Sequence, residues 1–133
     1  MSPSTVRPAA VDAWHEVVRT GDLERLQALL ADAVVFRSPA VHTPQEGRAT
    51  TTLYLRAALE VLGPHLTYHR QLWDEESAVL EFTTEVGGKQ VHGVDMLRWG
   101  PDDRLVEFTV MVRPLQGLTA LVDAMGAALR RLA

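Results

Sequence analysis

Few side chains in this chain of 133 residues combine chemical capability with a setting that would use it, and Asp95 is the clearest. It falls in an alternating run in which Val91, Gly93, Leu97 and Trp99 share its face, so a carboxyl is expected among apolar neighbours. Burying an ionised carboxylate without a partner costs several kcal/mol, so the group must be protonated, paired or hydrogen-bonded. Such a carboxyl can transfer protons or orient a ligand oxygen; the plainer reading is solvent exposure, or a structural pair with Arg98 or Arg113. His42, between Pro39 and Pro44, is an imidazole that could act as a base at a pocket mouth, or simply a solvated loop residue. His65 and His69 are spaced for metal on a helix, but on a strand four residues span about 13 Å, so no metal is expected. With no cysteine, thiolate nucleophiles, thiolate metal sites and disulfides are all excluded.

These residues need elements to position them. Ala10, Val11, Trp14, Val17 and Val18 recur at helical spacing up to Gly21, and Asp22 caps a second, short helix carrying Leu23, Leu26, Leu29 and Leu30. Residues 33–38 read as a strand stopped by Pro39, and residues 39–49 as a loop. A third helix carries Leu53, Tyr54, Ala57, Ala58, Val61 and Leu62 to Gly63-Pro64. The period then falls to two, predicting strands at about 66–74, 77–86, 90–99 and 104–113 with short turns between them. A last helix follows Pro114, with Leu118, Leu121, Val122, Met125, Leu129 and Leu132 in register and Arg130 and Arg131 at its negative end. Helices packed on a curved antiparallel sheet follow from this order, with a cavity on the concave side. The last helix either closes the cavity mouth or offers its bland apolar surface to a second copy.

Residues 1–8 are expected to be a flexible leader and residues 9–133 one domain. Hydrophobic residues make up 47% and charged residues 23%, the balance of a globular domain. The 13 basic residues are scattered among 17 acidic ones for a net charge of −4, so no basic stripe exists to hold nucleic acid. No secretory signal or membrane span is read, and a soluble cytoplasmic protein without cofactor is expected.

Five stretches, from Trp14 to Leu23 (WHEVVRTGDL), Val34 to Pro39 (VVFRSP), Glu46 to Arg48 (EGR), Gly93 to Trp99 (GVDMLRW) and Arg104 to Val112 (RLVEFTVMV), together resemble the nuclear-transport-factor-2-like superfamily. The likeness is to its SnoaL-like, ketosteroid-isomerase-like branch. It implies an α+β cone, with about three helices of the N-terminal half on the concave side of a curved antiparallel sheet and a C-terminal helix. Steroid isomerases of this branch use a first-helix tyrosine and a fourth-strand aspartic acid as an oxyanion hole, and an aspartate at the end of the first strand as proton shuttle. The acid is kept as Asp95. Trp14 stands at the tyrosine position and can donate a single indole N–H, and Ser38 stands at the shuttle position, where it is no base near neutral pH.

The resemblance therefore implies a small-molecule pocket with Asp95 as its acid, Ser38 as an orienting hydroxyl, and Trp14, Phe36, Tyr54, Phe108, Val110 and Val112 as its lining. The same apolar residues can equally serve as ordinary core. The expected ligand is a small apolar molecule, polycyclic or terpenoid-like. Alternatives are an isomerase using His42 as a displaced base with Asp95, an epoxide-hydrolase type needing a second carboxylate, or a non-catalytic dimeric module. Homodimerisation is expected in the first case as well.

Overall fold

The computed structural model describes residues 6–133, so five of the eight leader residues lie outside the described residues. Two of the last three are tied to the fold: Arg7 pairs with Asp12 at 2.5 Å, and Pro8 sits at the N-cap of helix α1 (Ala9–Thr20). α1 buries Ala10, Val11, Trp14 and Val17, and Gly21 ends it in the left-handed region at φ 67° with its N–H on the Val17 carbonyl. The Asp22 carboxylate accepts the Glu24 and Arg25 backbone N–H groups and so starts α2 (Leu23–Leu29). That helix is shorter than its leucine spacing predicts, because Leu30 already belongs to strand β1 (Leu30–Arg37).

The loop expected at residues 39–49 contains a two-residue strand, β2 (Gln45–Glu46), paired antiparallel with β1. α3 (Arg48–Leu62) follows, and one 3-10 turn leads to β3 (Thr67–Trp73), β4 (Ser77–Val86), β5 (Lys89–Trp99) and β6 (Leu105–Arg113). The chain ends in α4 (Leu115–Leu132). The turns form where their chemistry is written. Asp74 accepts the backbone N–H groups of Glu76 and Ser77, and Gly87 and Gly88 both take positive φ between β4 and β5.

The strands make one six-stranded sheet in the order β2-β1-β6-β5-β4-β3. The hairpin neighbours β3 to β6 are antiparallel as their short turns require, whereas β1 runs parallel to β6. No tight turn joins those two strands, so nothing local dictates their relative direction. The result is an α+β fold with a curved, mixed, unclosed sheet whose inner face carries the core.

Alternation sets that face. Ala78, Leu80, Phe82, Thr84 and Val86 on β4 and Val91, Gly93, Asp95, Leu97 and Trp99 on β5 are buried, with Glu81, His92 and Val94 on the other side. Gly93 is required by close approach: a Cβ there would fall 2.5 Å from the Met111 carbonyl oxygen and 2.6 Å from the Phe82 ring. The Thr84 hydroxyl donates to the Leu62 carbonyl at 2.8 Å and fastens the end of α3 to the sheet.

The last helix packs back against α3 and the sheet. α4 buries Gly117, Leu121 and Ala128, starts against the backbone of Gln90, and is tied near its end by an ion pair from Arg131 to Glu60 of α3. Among the described residues no helix is long and apolar enough to cross a membrane.

Candidate functional site

Asp95 occupies the middle of β5, paired with Leu80 on β4 and Val110 on β6, and is 5% exposed. Its face is therefore the one alternation predicts. The Tyr68 hydroxyl donates to Asp95 Oδ2 at 2.5 Å, and the Trp14 indole N–H donates to the Tyr68 oxygen at 2.9 Å. Burial pushes the Asp95 carboxyl up to about 7, opposed by the Tyr68 hydrogen bond. Burial raises the Tyr68 hydroxyl well above its ordinary value, helped by the charge of Asp95 and its hydrogen bond. The three side chains form one directed chain from helix through strand to acid.

Tyr68 is the residue that sequence reasoning missed. It pairs with Phe82, which pairs with Gly93, so tyrosine and aspartate lie in adjacent rows on the same side of the sheet. A register shift in β3 between Tyr68 and Gln71 re-aims the strand there. The available signal was a tyrosine sharing parity with Leu66 at the start of a strand; its reach to Asp95 depends on pairing, which periodicity does not carry.

Two spaces lie on the inner side. A void of about 30 Å³ borders Asp95 and Tyr68 and is walled by Trp14, Leu55, Phe82 and Phe108. A chamber of about 210 Å³ lies under α4, with Phe36, Ser38 and Tyr54 on one side and Val122, Met125 and Leu129 on the other. Ala58, Leu62 and Val110 line both, so the two spaces adjoin there.

The expected lining residues divide accordingly. Trp14 and Phe108 stand at the inner void, with rings 4.8 Å apart edge to face, while Phe36, Ser38 and Tyr54 stand at the outer chamber and Val110 between the two. The Trp14 N–H is occupied by Tyr68 rather than directed at open space. The Ser38 oxygen accepts the Ala40 N–H at 3.1 Å, so this hydroxyl also shapes the turn. Val112 keeps the inward parity of β6 but packs against the core and borders neither space. His42 is exposed and lines neither space, although its neighbour Val41 lines the chamber.

No second carboxylate joins Asp95. Among the described residues it is the one buried acid, because the other candidates point outward. Glu107 bonds Arg98 at 3.1 Å, and Glu81 bonds Arg70 and His92 at 2.8 Å each, which holds the Glu81 carboxyl far below the usual range. His65 and His69 are both exposed, and the described residues contain no cluster of three potential metal ligands. Proton transfer at one acid, or hydrogen bonding to one ligand oxygen, is what this arrangement can do.

Comparison with known proteins agrees with this geometry. The model of the SnoaL-like domain family matches residues 11–108. A steroid delta-isomerase structure from Pseudomonas aeruginosa shares 39% identity over 98% of this chain and 97% of its own, with a TM-score of 0.87. An uncharacterised bacterial protein with a cystatin-like fold from Silicibacter pomeroyi shares 30% identity over 90% of this chain and 84% of its own, with a TM-score of 0.83. At 15% identity, a de novo designed protein with a curved β-sheet covers 92% of this chain and 99% of its own with a TM-score of 0.72, a likeness of fold alone. A search of the curated proteins found no match. With the family model spanning most of the chain and a steroid delta-isomerase structure aligned along nearly its whole length, the chain belongs to the SnoaL-like family, in the ketosteroid-isomerase-like branch of the nuclear-transport-factor-2-like fold.

Proposed function

We propose that this protein binds a small apolar molecule, polycyclic or terpenoid-like, in the space beneath α4, with Asp95 orienting a carbonyl or hydroxyl oxygen of that ligand. The supporting observation is a buried carboxyl that gives one oxygen to Tyr68 and borders a small void, which adjoins an apolar chamber at Ala58, Leu62 and Val110. Pockets of this make-up, apolar walls with very few polar groups, hold small ligands by burial and fix them by the polar contact. Thermal denaturation with progesterone or menthone tests the reading. A ligand at about 100 times its Kd is expected to add about 2.7 kcal/mol of stability. Ala58→Leu, which adds bulk where the two spaces adjoin, is expected to abolish the effect while leaving the folded CD spectrum intact. No shift with either compound, or equal shifts in the variant, would sink the proposal.

The likeness to a steroid delta-isomerase supports a second reading, an enzyme in which Asp95 itself exchanges a proton with the ligand. A carboxyl titrating near 7 has the acidity that general acid–base catalysis at neutral pH requires. The exposed position of His42 gives no support to its role as the displaced base, and the lack of a second buried carboxylate gives none to epoxide hydrolysis. The cytoplasm is the proposed setting, in keeping with a cysteine-free sequence.

The homodimer belongs to the same proposal, through the outer sheet face. There a groove of about 410 Å³ runs past Leu72 and Met111, which are 69% and 55% exposed, beside the pair Arg70–Glu81. Exposed apolar residues rimmed by charge suit a self-complementary contact. Light scattering coupled to gel filtration is expected to give a dimer that Met111→Glu converts to monomer; a monomeric parent protein would refute it.

A further inference from the structure

The outer chamber has polar groups of its own, and they are few. Among the described residues that line it, only Ser38 and Tyr54 carry a side-chain oxygen or nitrogen, and none is charged. Tyr54, Ala58 and Leu62 recur every four residues on α3, so they share the face turned to the chamber. Ser38 follows directly after β1, two residues beyond Phe36, whose ring centroid lies 5.9 Å from that of Tyr54. The two hydroxyl-bearing residues thus stand on either side of Phe36, on the wall opposite α4. Neither borders the inner void, so an oxygen held at Asp95 is not the one they meet.

Hydrogen-bond capacity gives the pair a direction. Ser38 Oγ accepts the Ala40 N–H at 3.1 Å, which occupies a lone pair and leaves the hydroxyl proton free to donate. The Tyr54 hydroxyl has no hydrogen-bond partner among the described residues, and the residue is held by its ring contact with Phe36. A phenol proton left unused beside apolar walls is unfavourable, and an entering acceptor relieves it. A carboxylate does not suit the place, because no cation lines the chamber to offset the loss of its water. A carbonyl oxygen is neutral and has two lone pairs, one for each proton.

Resting on the binding reading above, we infer that Ser38 and Tyr54 form a second polar subsite, which donates to a neutral carbonyl oxygen on the part of the ligand lying under α4. The ligand class narrows accordingly to an apolar ring system with two separated oxygens, a diketone or keto ester. A molecule with a single polar end leaves both hydroxyl protons unused and is disfavoured for that reason, since a site built to hydrogen-bond an oxygen discriminates against analogues without it. Val122, Met125 and Leu129 across the chamber meet the hydrocarbon body.

Menthane, menthone and the menthane dione with its carbonyls on opposite sides of the ring share one skeleton and differ only in oxygen, so calorimetric titration of the intact protein with each is the test. The dione is expected to bind at least about 5-fold more tightly than menthone, the order of one added hydrogen bond. Tyr54→Phe keeps the ring beside Phe36 and is expected to weaken the dione by about 5–10-fold, while menthane and menthone change by less than about 2-fold. Ser38→Ala is expected to weaken the dione selectively as well; if loss of its turn unfolds that variant, Tyr54→Phe carries the comparison. Infrared spectra of the bound dione are expected to show two carbonyl bands, one of which Tyr54→Phe moves to higher frequency, a change that a merely structural tyrosine would not produce. A dione no tighter than menthone, equal weakening of all three compounds by Tyr54→Phe, or a menthane carboxylic acid binding more tightly than the dione overturns this inference while the binding reading stands. Failure of every compound to bind overturns both.

Discussion

In Asp95→Asn, the stability of the protein is expected to become far less sensitive to pH, and above neutrality the variant should gain on the parent by about 4 kcal/mol relative to their difference in acid. Burial raises the native carboxyl from 3.8 to about 7, so between these values the unfolded chain has released a proton that the folded chain still holds. The folded state binds more protons there, and stability therefore falls as pH rises, by about 1.4 kcal/mol per unit, until the native acid also ionises near 7. Above that the loss is complete. Asparagine keeps the shape and an oxygen for the Tyr68 hydroxyl but cannot ionise. Its amide hydrogens lack a partner and cost about 1–3 kcal/mol at every pH, which shifts the variant's curve without tilting it.

Other carboxyls pull the opposite way in both proteins. Glu16, Asp74, Glu81 and Glu107 are held low by their partners, and their stabilisation is lost only as pH falls through and below the ordinary carboxylate range. They cancel in the difference. Urea unfolding of both proteins at intervals from about pH 4 to 8 reads the effect directly, and for a domain of this length the relative change corresponds to roughly 10–15 °C in Tm. Parallel stability curves would mean that Asp95 is not held protonated by its surroundings.

The inward face of Asp95 was legible because β5 is long and flanked by tight turns. With Val91, Leu97 and Trp99 on one side, a period of two leaves a single placement for the acid. The helices were legible for a related reason: Trp14 and Val17, or Leu26 and Leu29, repeat an apolar stripe that only one helix face can bury. What joins elements far apart in the chain leaves no such trace. The parallel pairing of β1 with β6, the two-residue β2 within the loop, and the placement of α4 beside the outer chamber depend on tertiary packing.

The same division runs through the site. Trp14 was visible as a donor on an apolar helix face, but its partner Tyr68 lies 54 residues away on a strand with a register shift. The family likeness drew attention to Ser38 and the loop setting to His42; Ser38 shapes a turn and lines the outer chamber, and His42 is exposed. A residue aligned with a family role keeps that role only if its neighbours do. In this chain the tyrosine that touches the acid comes from β3, and the first helix acts on it from behind through an indole.

Phe108 links the core to that chemistry, and its truncation to alanine is expected to cost about 3–5 kcal/mol, the range for a buried aromatic ring. The ring is 1% exposed, meets Trp14 edge to face at 4.8 Å and Phe36 at 5.9 Å, and walls the inner void beside Asp95. Removing it merges the space of the ring with that void. An enlarged void lined only by leucines would stay dry, but this one includes a carboxyl and a phenol, which give an entering water the two or more polar partners it needs. Hydration relieves the burial that raises Asp95, so its midpoint is expected to move down toward the ordinary carboxylate range as stability falls. Urea denaturation gives the first quantity. The second comes from the carbonyl stretch of the protonated acid, followed by infrared difference spectroscopy against Asp95→Asn across pH. A full loss of stability with the midpoint still near 7 would show that the enlarged cavity stays dry, and that the walls on the α3 side alone suffice to keep the acid neutral.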